Sequence, residues 1–125
     1  MDSLELANRI VEVIVDRQGG DILILDLREV TTFTDYFVIC TANSRRQLDA
    51  LQNAIREALK QSDDYQLTMN SEGDPDSGWI LMDYNSVIVH LFHEEERAYY
   101  NIERLWMDGG NLTPFLPKDA EEERI

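Results

Sequence analysis

Apolar residues near the N-terminus recur at steps of three and four, which is the spacing of one face of an α-helix. From Asp2 to about Arg17 this face is formed by Leu4, Ala7, Val11 and Ile14. Asp2 and Glu5 are placed as a capping pair, and Gly19-Gly20 follows as a stop signal. The pattern predicts a first amphipathic helix.

Two short runs that are apolar at every position come next, Ile22 to Leu25 and Tyr36 to Cys40. A continuous run of this length, bounded by polar residues, is typical of a strand covered on both faces. We therefore expect helices on both sides of a central sheet.

A second helix is predicted from Ser44 to about Lys60. Ser44 and Gln47 have the spacing of a capping box, in which each side chain bonds a backbone N–H at the start of the helix. Apolar residues then continue at helical spacing, namely Leu48, Leu51, Ile55 and Leu59.

The middle of the chain predicts strands joined by turns. Tyr65 to Met69 could form a short strand, and Glu72 to Gly78 has the composition of a turn-rich loop. Trp79 to Asp83 and Val87 to Phe92 predict a hairpin across Tyr84-Asn85-Ser86.

A third helix is expected to begin at the acidic block Glu94 to Glu96, because carboxylates are favoured at a helix N-terminus. Its buried stripe is predicted to be Ala98, Ile102 and Leu105. Its opposite side would then carry Arg97, Tyr100, Asn101 and Arg104.

The order of these elements predicts an α/β (α+β mixed) domain with a mixed sheet of about five strands flanked by helices. We expect residues 1–108 to form this domain. Residues 109–125 contain Pro114 and Pro117 and end in a charged segment, which indicates an extended or mobile tail.

The chain is strongly acidic, with 11 Lys and Arg against 25 Asp and Glu and a formal charge of -14. This charge repels phosphate backbones and anionic membranes, so direct nucleic-acid binding and membrane association are disfavoured. It favours a basic protein partner, although charge of this size could also serve solubility alone.

Compartment and redox state follow from the remaining composition. No apolar stretch approaches the roughly 20 residues that span a bilayer, and the N-terminus lacks the positive region of a signal peptide. The single Cys40 cannot form an internal disulfide and lies in an apolar run. We expect a cytoplasmic protein with a buried, inert thiol.

Two arrangements could carry catalysis, and neither is complete. His90 and His93 resemble a metal pair, but three residues apart on a strand they point to opposite faces, so no metal site is expected. Asp26, Asp35 and Asp83 fall near strand ends, where carboxylates can hold magnesium for phosphoryl transfer. A glycine-rich phosphate loop is missing, and the same residues could instead cap turns.

Aromatic and arginine residues suggest a protein contact. Strand alternation puts Trp79 and Asp83 on one face, and the third helix offers Tyr100 and Arg97 nearby. Such residues anchor interfaces because they combine large apolar area with a polar group. The alternative is that Trp79 and Tyr100 belong to the core and the charges to a solvated surface.

Several segments, in this order and spacing, resemble the ribosomal silencing factor (RsfS/Iojap) family from the first helix to Trp106. They are Asp21 to Leu27, Thr34 to Thr41, Ser44-Arg45, Glu72-Gly73, Trp79 to Tyr84, Val87 to His90, and the pattern of Arg97, Tyr100, Leu105 and Trp106. Asn85-Ser86 stands where the family usually has Gly-Asp.

The resemblance implies a nucleotidyltransferase-like fold without its catalytic motif, no cofactor, and a homodimer when free. It also implies a translation regulator that binds the large ribosomal subunit through the universal large-subunit ribosomal protein fourteen. Bound there, the protein would block joining of the small subunit, notably when nutrients are scarce.

Carried over residue by residue, the resemblance implies a partner-binding surface formed by Trp79, Asp83, Tyr84, His90, Glu95, Arg97 and Tyr100. Two other functions remain open. One is an adaptor in ribosome assembly, which would use the same docking surface. The other is a magnesium-dependent nucleotidyl-transfer enzyme using Asp26, Asp35 and Asp83.

Overall fold

A six-stranded mixed sheet organises the chain, whose computed structural model describes residues 2–60, 70–107 and 110–114. The elements are α1 (Ser3–Asp16), β1 (Gly20–Asp26), β2 (Tyr36–Ala42), α2 (Arg45–Lys60), β3 (Asn70–Asp74), β4 (Trp79–Asp83), β5 (Val87–His93), α3 (Glu94–Tyr100), α4 (Ile102–Trp106) and β6 (Leu112–Pro114). A 3-10 turn, Pro75–Ser77, joins β3 to β4.

The strands lie in the order β3-β4-β5-β2-β1-β6. β2 and β5 are parallel, with Val38 beside Val89, and every other pair is antiparallel. The predicted mixed sheet and the β4–β5 hairpin are confirmed.

Two strands differ from the sequence prediction. β3 takes Glu72 to Asp74 into the sheet, so the expected loop shrinks to the turn before Trp79. β6 pairs with β1 inside the segment expected to be a tail, which gives a sixth strand where about five were predicted. The strand predicted at Tyr65 to Met69 lies outside the described residues, and the division of the chain at residue 108 stays a prediction.

One face of the sheet, the helix face, is covered by α1 and α2. Ile10 and Ile14 of α1 and Leu51 and Ile55 of α2 are completely buried there. The strands supply the other half of this core: Val38, Cys40, Ile80, Met82, Val89 and Leu91. Because burial contributes about 25 cal/mol per Å² of apolar surface, this layer is the main source of stability.

The predicted helix caps are confirmed. The Asp2 carboxylate accepts a hydrogen bond from the Glu5 N–H at 2.8 Å. Ser44 Oγ accepts from the Gln47 N–H at 3.0 Å, while Gln47 Oε1 reaches back to the Asn43 N–H at 2.7 Å. These bonds satisfy donors that the first helical turn leaves without partners.

Replacing Ser44 by alanine is expected to lower the free energy of unfolding by about 1 kcal/mol, because the Gln47 N–H loses its acceptor. Urea denaturation of the wild type and the variant measures this difference. Ser3→Ala is the matched control, since Ser3 lies within the first turn of α1 and Asp2 is the cap there. Equal losses in both variants would contradict the capping role.

The third predicted helix is broken in two. Asn101 adopts a left-handed conformation, with φ of 46°, between α3 and α4. The predicted stripe is therefore wrong at two positions, because Ala98 is exposed and Leu105 is 77% exposed. Only Ile102 is buried, since the break turns α4 onto the second face of the sheet.

Helices lie on both sides of the sheet, as expected, but they cover the two faces to different extents. Both long helices cover the helix face, whereas the opposite face receives Ile102 and Trp106 from the short α4. Leu23, Trp79 and Leu81 on this second face are consequently only half-buried.

Candidate protein-binding site

The second face of the sheet, the aromatic face, is formed by alternate side chains of β1, β2, β4 and β5, those that point away from α1 and α2. Its buried members form a core with half-buried residues around it: Leu25, Phe37, Ile39, Ile88, Phe92 and Ile102, with Leu23, Trp79, Leu81, Trp106 and Leu112. The predicted alternation of β4 is confirmed, since Ile80 and Met82 are buried on the helix face.

Trp79, the first residue of β4, lies on this face and is half-buried. Its ring stacks on Phe92, with centroids 4.9 Å apart and planes 26° from parallel. Tyr100 of α3 packs against the same indole at 4.7 Å. Stacked aromatic pairs add stability beyond the area that they bury, so the ring is held rather than free.

His90 lies beneath Trp79 and is 4% exposed. Its Nδ1 accepts a hydrogen bond from the indole Nε1–H at 3.2 Å, and its ring meets Phe37 edge-on at 4.6 Å. Burial lowers the pKa of His90 to about 3, because a buried imidazolium loses its hydration. The imidazole is therefore neutral at physiological pH.

Tyr100 forms the exposed part of the site, with 46% of its surface accessible. An open cleft of about 230 Å³ lies beside it, lined by Glu72, Gly73, Ser77, Trp79, Leu81 and Tyr100. This volume is below the roughly 300–1,000 Å³ of small-molecule pockets. The cleft is thus better suited to one side chain of a partner than to a cofactor.

The aromatic face extends beyond the residues that sequence reasoning selected. Phe33 is 50% exposed and packs edge-on against Trp106 at 5.5 Å, and Trp106 meets Phe37 at 5.6 Å. Phe37, in turn, contacts His90. These rings join through contacts between distant segments, so only the alternation of β2 could have pointed to Phe37 in the sequence.

Arg97 turns inward, contrary to the predicted outward side of the helix, and 12% of its side chain is exposed. Its Nε and one terminal nitrogen each donate to Glu103 at 3.1 Å. The other terminal nitrogen donates to Thr41 Oγ1 at 2.7 Å and to the Asp21 carbonyl. Arg97 therefore links α3 and α4 to one end of strands β1 and β2, at Asp21 and Thr41.

The other predicted contact residues, Asp83, Glu95 and Tyr84, differ in how far they are exposed. Asp83 is half-buried on the same side of β4 as Trp79, and its carboxylate accepts from the Asn85 N–H at 2.7 Å. Glu95 is exposed on α3. Tyr84 is 4% exposed and packs in the core of the helix face, so the structure does not bring it to the aromatic face.

Two of the three carboxylates considered for magnesium binding, those of Asp26 and Asp83, are engaged in turns. Arg28 donates to both oxygens of Asp26 at 2.9 and 2.6 Å, and its hydrogen bonds hold the pKa of Asp26 below the usual value. Asp83 holds the turn at Asn85. Both residues stabilise turns, as the alternative interpretation predicts. Among the described residues, no group of three His, Cys, Asp or Glu could hold a metal ion.

The expectation for Cys40 is confirmed. The thiol is completely buried in the core of the helix face, and burial raises its pKa to about 12. A thiol of this kind stays protonated and unreactive.

Comparison with known proteins identifies the family. A family model described as "Ribosomal silencing factor during starvation" matches residues 1–124. The chain belongs to the ribosomal silencing factor family. It is 39% identical to the ribosomal silencing factor RsfS of Bacillus subtilis over 94 residues, which is 74% of this chain and 77% of that protein.

Two further relatives extend this comparison of the silencing factor. A crystal structure from Chromobacterium violaceum has a TM-score of 0.80 at 31% identity and covers 89% of this chain and 92% of that one. A mouse protein named "Mitochondrial assembly of ribosomal large subunit protein 1" is 30% identical over 78% of this chain and 43% of its own length. Within the described part of the silencing factor, no helix combines the length and apolar content that a bilayer span requires.

Proposed function

We propose that this silencing factor binds the large ribosomal subunit through the universal large-subunit ribosomal protein fourteen and blocks joining of the small subunit. The contact between half-buried Trp79 and exposed Tyr100, with ring centroids 4.7 Å apart, is the observation that carries the proposal. A rigid aromatic pair of this kind is typical of the central anchors of protein interfaces.

Charge supports a basic protein as the partner. The chain carries a formal charge of -14. Glu72 lines the cleft beside Tyr100, and Asp83 lies on the same side of β4 as Trp79. Ribosomal proteins are basic, so complementary fields would speed encounter and orient docking. The same charge would repel bare ribosomal RNA and direct binding to a protein surface.

The residues that the resemblance implies for partner binding fall into two groups. Some contact the partner directly, and others support the contact surface from within the protein. We assign direct contact to Trp79, Asp83, Glu95 and Tyr100, which reach the surface. Arg97 acts through its hold on α3 and α4. Tyr84 contributes to stability from the core of the helix face.

Silencing by this route needs no chemical step. A domain seated on a subunit-interface protein excludes the opposing subunit by its volume, which would repress translation when nutrients are scarce. We propose that the protein acts in the cytoplasm without cofactor or catalysis. We also propose that the free protein is a homodimer, for which the exposed Phe33, Leu105 and Met107 offer apolar surface.

Sucrose-gradient sedimentation of purified subunits, with and without this protein, tests the proposal. Migration of the protein with the large subunit, together with loss of the joined peak, is the expected result. Migration with the large subunit while joining continues would favour assembly assistance instead, a function suggested by the name of the mouse relative. Failure to migrate with either subunit would contradict both functions.

Replacing Trp79 or Tyr100 by alanine is expected to weaken binding to the large subunit by about 2 kcal/mol, or roughly 30-fold. Each substitution removes one ring of the packed pair. Leu4→Ala is the control, because Leu4 is also an exposed apolar residue, 48% accessible, but lies on α1 over the helix face. Wild-type affinity in both ring variants, measured by sedimentation at several protein concentrations, would overturn this assignment.

A further inference from the structure

His90 lies where it cannot meet a partner directly. It is 4% exposed and is enclosed by three aromatic rings, those of Phe37, Trp79 and Phe92. A partner that docks on the aromatic face would touch Trp79 first. Any contribution of His90 to docking therefore passes through the indole above it.

The hydrogen bond between the two residues fixes the state of both rings. Nδ1 of His90 accepts from the Trp79 Nε1–H at 3.2 Å, so the imidazole is neutral and its own proton is on Nε2. Stacking of the indole on Phe92 sets the plane of the ring but does not distinguish its edges. The hydrogen bond does distinguish them, because it requires the N–H edge of Trp79 to point inward.

The second imidazole nitrogen receives no stabilising hydrogen bond from the described residues. Nε2 of His90 is buried and has no hydrogen-bond partner among the described residues. A buried donor without a partner is destabilising, and an aliphatic side chain at this position would avoid that cost. A polar group kept in an apolar setting in spite of the cost is a common mark of a functional position.

We propose that His90 is a positioning residue that sets the orientation of Trp79 for docking. With its N–H held by His90, the indole presents carbon atoms beside Tyr100 and the cleft, and a partner meets an apolar surface of fixed shape. A pre-oriented anchor loses less entropy on binding than a ring free to turn over. The binding effect of this role rests on the proposed function, whereas the orientation of Trp79 does not.

Three substitutions separate positioning from simple packing. In His90→Asn the side-chain oxygen is attached to Cγ, as Nδ1 is in histidine, so an acceptor for Trp79 remains. In His90→Gln the polar atoms lie one bond further out, near the Nε2 position. His90→Leu removes the acceptor entirely and fills the space with apolar atoms.

The first readout is the indole N–H resonance of Trp79 in a nitrogen-15 spectrum, assigned against Trp106 with a Trp79→Phe variant. The second is sedimentation with the large ribosomal subunit. We expect the indole resonance of His90→Asn to stay near its wild-type position. The affinity of this variant for the large subunit should stay within about twofold of the wild-type value. His90→Leu and His90→Gln should shift the resonance and weaken binding by about tenfold, the effect of one ordinary hydrogen bond.

Each contrary outcome has a definite meaning. An unshifted indole resonance in folded His90→Leu would overturn the positioning role, as would equal losses of affinity in His90→Asn and His90→Leu at equal stability. If wild-type protein does not bind the large subunit, the proposed function fails, while the resonance still tests the orientation. If a variant does not fold, the imidazole tautomer of the wild type decides: a proton found on Nδ1 would contradict the role.

Discussion

Replacing Arg97 by methionine is expected to lower the free energy of unfolding by about 3 kcal/mol. The substitution keeps most of the apolar volume but leaves Glu103, whose side chain is 19% exposed, without its two hydrogen bonds at 3.1 Å. Thr41 Oγ1 and the Asp21 carbonyl lose a donor as well. Removal of one partner from a buried ion pair costs more than the pair contributes, because the remaining charge stays poorly solvated.

Urea denaturation of paired variants tests this expectation. Arg104→Met is the matched control, since Arg104 is exposed on α4, and it should change stability by less than about 0.5 kcal/mol. Arg97→Lys should give an intermediate loss, because an ammonium cannot bond both carboxylate oxygens in the same planar fork. Equal effects of Arg97→Met and Arg104→Met would show that Arg97 does not fasten the two helices.

Acid is expected to destabilise the protein through His90. The native pKa of this residue is about 3, whereas an unfolded histidine titrates near 6.5. Between these values the unfolded chain binds a proton that the native protein does not, so stability falls as the pH falls. The slope approaches about 1.4 kcal/mol per pH unit once the pH is well below 6.5, and about 2.3 kcal/mol should be lost between pH 6.5 and pH 4.5.

The comparison of wild type with His90→Leu isolates this contribution. Unfolding in urea at pH 6.5, 5.5 and 4.5 gives the dependence for each protein. All other titratable groups are the same in both proteins, so their effects cancel in the difference. The variant should lose less stability on acidification than the wild type. Parallel curves would show that His90 is accessible to protons in the native state.

Local patterns in the sequence predicted most of the elements. Both caps, at Asp2 and Ser44, involve residues no more than four positions apart, so their geometry follows from local chemistry. The β4–β5 hairpin is likewise local, with Asn85 at φ of 73° in its turn. Interactions between residues this close in sequence can be predicted without knowledge of the fold.

The path of the chain after α3 could not be predicted in this way. On a continuous helix Arg97 and Glu103, six residues apart, would lie on different sides and would not meet. They meet because the helix breaks at Asn101. The contacts of Arg97 with Asp21 and Thr41 help to hold the resulting geometry, and they span 76 and 56 residues.

The candidate site was likewise predicted only in part from the sequence. Residue types and alternation identified Trp79, Asp83 and Tyr100 as surface candidates, and all three reach the surface of the aromatic face or its rim. Tyr84 was added to the predicted surface by the family resemblance alone, and its ring is directed into the other core. It also missed Phe33 and Trp106, which join the aromatic face through contacts with β2.

Patterns along the chain were sufficient to predict the first two helices, the hairpin, the mixed α/β class, the acidic charge and the resemblance to the silencing factors. Each of these depends on periodicity, composition or order along the chain. The burial of His90 beneath Trp79, the inward turn of Arg97 and the half-buried state of Trp79 and Leu81 became known only from the folded structure. Burial and partners depend on which distant segments pack together, and no local pattern specifies that.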